Sequence, residues 1–189
     1  MTEPIEIAAV CGSLRGRSYN RGLLRAIMEL SPATMRWNVL DWSGLPVYNG
    51  DLEHPALPEV VTGLQQQLRA ADGVVIVTPE YNHGIPGGLK NFIDWMSRGA
   101  PPHAFFGLPG VIAGASNGMI GTARCQLALR NTLATLNVPT MPFPQVQVSN
   151  CRERFDEQRR LTHEPTIEFL KEWLVHLEQW MRRFPRESR

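Results

Sequence analysis

The chain of 189 residues is long enough for one ordinary α/β domain with a substantial core. Its 19 Lys and Arg against 18 Asp and Glu leave a net charge of +1, no footprint for nucleic acid or an anionic membrane surface. Three scattered cysteines, Cys11, Cys125 and Cys151, exclude a disulfide framework and a CxxC site, and residues 1–10 lack the pattern of a signal peptide, so the expectation is a cytoplasmic protein.

The first strand is predicted over Ile5–Cys11. Cys11 at its end reads as a small buried hydrophobe, as does Cys125 further on. A loop follows, Gly12-Ser13-Leu14-Arg15-Gly16-Arg17-Ser18-Tyr19-Asn20. Leu23, Leu24, Ile27, Met28 and Leu30 then mark a helical face. A strand, a Gly/Ser loop and a helix N-terminus make an anion site, because unpaired N–H groups and the positive end of the helix dipole face the loop. Ser13, Ser18, Asn20 and the forked guanidinium of Arg15 would add donors suited to phosphate. The Walker ending Gly-Lys-Ser/Thr and the GxGxxG spacing are both absent, so a single phosphate fits better than a triphosphate or dinucleotide.

Met35–Leu40 is the second predicted strand. The Gly- and Pro-rich stretch 41–58 is too long for a tight turn and is expected as a surface loop near a site. Leu57, Val60, Leu64, Leu68 and Ala71 space the second helix. Gly73–Val77 is short and β-branched, like a fully buried parallel strand. The loop after it sets Pro79, Glu80, Tyr81, Asn82 and His83 side by side. Gly84, Gly87 and Gly88 follow, and Leu89, Phe92, Ile93 and Met96 then recur at helical spacing.

The fourth strand is predicted over Pro109–Ala113, and it runs into a second Gly-rich loop holding Ser116, Asn117 and Gly118. Ala123, Leu127, Arg130, Leu133 and Leu136 suggest the face of the next helix. Val138–Met141 and Val146–Val148 suggest a fifth strand interrupted by Pro142 and Pro144. The last helix starts near Thr162 or Pro165, with Ile167, Leu170, Leu174, Leu177, Met181 and Phe184 as its stripe, widened by Trp173 and Trp180. Trp42, Tyr48, Phe105 and Phe106 read as packing aromatics before pocket walls.

Five strand–helix repeats imply a doubly wound parallel sheet with helices on both faces, in one domain spanning 1–189. In the order 2-1-3-4-5, strands one, three and four are neighbours. Their polar loops then converge at the carboxyl edge of the sheet, where ligands bind.

Gly12-Ser13-Leu14-Arg15 with Ser18 and Asn20, Pro79-Glu80-Tyr81-Asn82, and Pro86-Gly87-Gly88-Leu89-Lys90-Asn91 with Ile93-Asp94-Trp95 resemble the NAD(P)H-dependent FMN reductase family. Gly121-Thr122-Ala123-Arg124-Cys125-Gln126 with Leu129-Arg130 resembles its quinone and chromate reductase branch. The resemblance covers roughly 5–142, and nothing beyond Asn150 is carried over.

The resemblance implies a flavodoxin-like fold and non-covalent FMN, with NADPH or NADH as co-substrate. Ser13, Arg15, Ser18 and Asn20 would hold the FMN phosphate. Pro79, Glu80, Tyr81, Asn82 and His83 would line the ring, and Ser116, Asn117 and Gly118 its far side. It implies ping-pong hydride transfer through flavin N5 to a quinone or similar small acceptor, such as chromate, azo dyes or free flavin. No side chain would be a strong acid or base, and N–H groups of 116–121 would steady negative charge. It further implies a homodimer or homotetramer. The rival is a flavodoxin-like electron carrier serving a protein partner, against which the near-neutral charge argues.

Overall fold

The computed structural model describes residues 3–185. Its elements run β1 (Ile5–Cys11), α1 (Tyr19–Leu30), β2 (Met35–Val39), a 3-10 turn (Gly50–Glu53), α2 (Glu59–Ala70), β3 (Gly73–Val77) and α3 (Gly87–Met96). They continue with β4 (Gly110–Ala115), α4 (Ala123–Thr135), β5 (Val146–Val148), α5 (Cys151–Arg154) and α6 (Glu164–Met181). The five strands form one sheet in the order β2-β1-β3-β4-β5, every pair parallel. This is the flavodoxin-like order expected from the sequence.

The pleat sorts the strand side chains between two cores. Ile5, Ile7, Ala9 and Cys11 of β1, with Val75 and Val77 of β3, pack against Leu23 and Ile27 of α1 and Leu170, Trp173 and Leu177 of α6. Ala8, Val10, Val74 and Ile76 face the other way, against α2, α3 and α4. Both faces of the central strands are covered, which is why their sequences are unbroken apolar runs. Among the described residues no helix is long and apolar enough to cross a membrane.

Two elements depart from the periodicity. The buried face of α4 is Cys125, Gln126, Leu129 and Leu133, while Leu127 is 64% exposed. The periodicity predicts Leu127 on the packed face, whereas a polar residue, Gln126, holds the core position. Gln126 Nε2 donates to Thr122 Oγ1 (3.0 Å) and to the Val146 carbonyl (2.8 Å), so its NH2 group is buried with partners, while its Oε1 is buried without one among the described residues. The fifth strand is only Val146–Val148. Thr140 contributes an isolated bridge to Gly110, and Pro142 and Pro144, lacking N–H groups, stop the ladder between them. The 41–58 loop is pinned rather than loose: Trp95 Nε1 and Asn91 Nδ2 both donate to the Pro46 carbonyl, and Trp42 Nε1 donates to that of Cys11.

Candidate functional site at the carboxyl edge

The register brings Cys11, Val77 and Ala113 level across three strands, so the loops after β1, β3 and β4 leave the sheet together. Gly12 N donates to Val77 O (2.8 Å), Thr78 N to Ala113 O (2.9 Å) and Ser116 N to Val148 O (2.9 Å), which carries the ladder one step into each loop. Close approach demands small residues. A Cβ on Gly12 would lie 2.7 Å from Thr78 Oγ1, and one on Gly114 would lie 2.0 Å from Thr122 Oγ1.

In the first loop, Ser18 is the N-cap of α1, its Oγ accepting from Asn20 N at 3.2 Å. Ser18 N donates to Arg15 O at 3.2 Å and closes the turn, leaving the Arg15 side chain exposed. Ser13 is 3% exposed, and its buried Oγ has no hydrogen-bond partner among the described residues. Such an orphan costs free energy unless a ligand or water completes it. Asn20 has another position than a phosphate donor's: its Nδ2 donates to Ala115 O and its Oδ1 accepts from Ala115 N, both at 2.9 Å. It clasps α1 to the end of β4.

In the second loop, Tyr81 and Gly84 exchange both backbone hydrogen bonds, at 3.2 and 2.9 Å. Asn82 (φ 50°) and His83 (φ 63°) between them are both left-handed, the signature of a two-residue primed turn. Tyr81, Asn82 and His83 are exposed at its tip, while Pro79 is buried beneath it. The Glu80 side chain is only 10% exposed; its Oε2 accepts from Cys125 N at 2.9 Å, and its Oε1 lies 3.6 Å from His83 Nδ1. Arg124 Nη1 also meets His83 Nδ1.

In the third loop, Gly118 N donates to Ser116 Oγ at 3.0 Å, and Asn117 and Gly118 stand exposed. Thr122, at φ 76°, then turns the chain into α4. Cys125 beneath it is buried; burial pushes its thiol up to about 11, against a lowering contact from the Thr78 hydroxyl.

The structure thus brings Ser13, Arg15, Ser18, Pro79–His83 and Ser116–Gly118 to one edge. Sequence reasoning missed Arg124, and it missed the segment 155–161. Arg17 Nη2 donates to Glu157 O (3.1 Å), Arg159 Nε donates to Arg17 O (3.2 Å), and the Arg159 guanidinium sits 4.3 Å from the centre of the Tyr19 ring. This strap braces the first loop from outside. One signal was available: Gly22 sits inside α1, where glycine weakens a helix. A Cβ there would lie 2.2 Å from Arg159 O.

A large concavity at the opposite edge of the sheet is lined by Glu3, Glu6, Asp72, Arg36 and Arg182. Its carboxyl groups outnumber its guanidinium groups, which disfavours a phosphate there. Among the described residues no group of three or more His, Cys, Asp or Glu could hold a metal ion.

The sequence profile of NADPH-dependent FMN reductases matches residues 5–153. An NAD(P)H-dependent FMN reductase of Pseudomonas aeruginosa is 41% identical over 183 residues, 97% of this chain and 98% of that protein. A 2-hydroxy-1,4-benzoquinone reductase of a Burkholderia species is 38% identical over 178 residues, 94% of this chain and 97% of that protein. The solved structure of FerB, a flavoenzyme NAD(P)H:(acceptor) oxidoreductase from Paracoccus denitrificans, superimposes with a TM-score of 0.88 at 32% identity, covering 95% of this chain and 98% of that one.

Proposed function

The chain belongs to the NADPH-dependent FMN reductase family, and from that premise we propose that it is an FMN-dependent NAD(P)H oxidoreductase reducing quinones or similar small acceptors. The observation that carries the reading is Ser13 Oγ, buried and without a hydrogen-bond partner among the described residues, in the loop that leads into α1. A phosphate there would take that hydroxyl as a donor, along with the helix N–H groups and the exposed guanidinium of Arg15. The residues present fit FMN in this way: one phosphate, held mostly by hydroxyl and amide donors.

FMN, when bound, would supply the redox chemistry, two-electron hydride transfer between NAD(P)H and the acceptor through N5 in a ping-pong scheme. The protein's part is positional. Pro79 and the primed turn at Tyr81–Gly84 form one wall, and the N–H groups of 116–121 other than those of Ser116 and Gly118, already bonded to Val148 O and Ser116 Oγ, supply donors toward negative charge. Cys125, with its thiol near 11, stays protonated at neutral pH and takes no part as a nucleophile. Asn20 supports the site by holding Ala115 rather than by touching phosphate. The reading extends to chromate, azo dyes and free flavin as further acceptors, and to one domain over 1–189 working as a cytoplasmic homodimer or homotetramer.

The test is the visible spectrum of the purified protein, before and after anaerobic NADPH or NADH, followed by 1,4-benzoquinone. A flavin spectrum that bleaches with the nucleotide and returns with the quinone, with FMN as the released chromophore, is the expected result. Failure to bind FMN on incubation would overturn the reading. A flavin left oxidised by both nucleotides would favour an electron carrier.

A further inference from the structure

We propose that Glu80 is a positioning residue: its carboxylate is the N-terminal cap of α4, supplied from another loop, and that bond sets the 116–121 loop against the 79–84 turn for cofactor binding. The consequence for cofactor binding rests on the FMN reading above; the cap itself does not.

A helix leaves its first N–H groups without intrahelical partners. In α4 the residue at the capping position, Thr122, cannot serve. Its backbone is left-handed at φ 76° and its side chain makes no capping bond; its hydroxyl accepts instead from Gln126 Nε2. The first turn of α4 holds no acidic residue. Ala123 N finds the Ile120 carbonyl at 3.0 Å. Cys125 N finds Glu80 Oε2 at 2.9 Å, 45 residues away in sequence. The acid that the helix dipole favours at this end is thus imported from the loop after β3.

The arrangement also accounts for a carboxylate at 10% exposure. Burying one is costly without partners. Glu80 has Cys125 N on one oxygen, with the positive end of α4 behind it. Three consequences follow. The second and third loops move as one unit. The α4 terminus is already matched with negative charge, which favours α1 over α4 as a terminus for an anionic ligand. The acidic residue of the Pro79–His83 stretch supports the wall through its side chain instead of presenting that side chain to the ring.

The test uses the full chain with Glu80→Met, similar in length but without an acceptor, and Glu80→Gln, which keeps a carbonyl oxygen. Two readouts are taken: the FMN dissociation constant from flavin fluorescence, and amide hydrogen exchange over 116–126 in the flavin-free protein. E80M should speed exchange at Cys125 and weaken FMN by about tenfold, the scale of one buried hydrogen bond to a charged group. E80Q should restore slow exchange and bring FMN affinity most of the way back. Unchanged exchange and affinity in E80M would overturn the proposal. So would an E80Q as impaired as E80M, because the effect would then follow the charge and not the cap. A wild-type chain that binds no FMN would sink the cofactor reading instead, while the exchange comparison would still decide the cap.

Discussion

Asn20 and Ala115 pair as two strand residues would. The Asn20 side chain both donates to and accepts from the Ala115 backbone, at 2.9 Å each way, 95 residues apart. An amide side chain thereby closes the edge of β4 where the sheet ends, and ties the first loop to the third.

Asn20→Ala should destabilise the fold by about 2–4 kcal/mol, because it removes two buried hydrogen bonds and strands the Ala115 N–H and C=O. Urea denaturation measures this. A loss below about 1 kcal/mol would mean that water replaces the clasp.

Two nearby glycines should respond with opposite signs. Gly22→Ala puts a methyl 2.2 Å from Arg159 O, a backbone atom with little room to yield. Overpacking of this kind costs about 1–3 kcal/mol and should release the 155–161 strap, visible as new proteolytic cleavage there. Gly16→Ala meets nothing within 4 Å. It should be neutral or stabilise by about 0.4–1 kcal/mol through the unfolded chain. Melting temperatures of the two variants separate the cases.

Arg15→Ala should weaken FMN retention by about 1.5–3 kcal/mol, the value of a hydrogen bond to a charged group. The fold should be untouched, since Arg15 is exposed. An unchanged FMN dissociation constant would remove Arg15 from the site. Ser13→Ala should also weaken FMN, while sparing or raising stability in the flavin-free protein, because it deletes a buried orphan oxygen.

Cys125 and Cys151 predict a limit at alkaline pH. Burial raises both thiols from 9.0 to about 11. Below pH 9 both groups keep their protons folded or unfolded, and the stability linked to them is fully present. As pH climbs from 9 to 11 the unfolded chain releases protons that the folded one retains, so that stability is lost. Thermal melts across this window should fall in the wild type and fall less in a Cys125→Ala/Cys151→Ala variant. Equal slopes would show that other groups set the limit.

The sequence by itself determined the sheet. The short, apolar runs at Ile5–Cys11 and Gly73–Val77 read as strands covered on both faces, and in the order 2-1-3-4-5 the polar loops after three neighbouring strands meet at one edge. Periodicity carries this information because it is local. Side-chain partners are not local, and the tertiary structure alone decided them. Gln126 sits in the core with its Nε2 bonded to Thr122 and Val146, which no hydrophobicity count can see. The residue type of Asn20 suggests a phosphate donor, and the family resemblance sets Glu80 along the ring. The fold gives the Asn20 amide to Ala115 and Glu80 Oε2 to Cys125 N, at separations of 95 and 45 residues. A buried polar group must find a partner, and which partner it finds depends on how the chain returns through space.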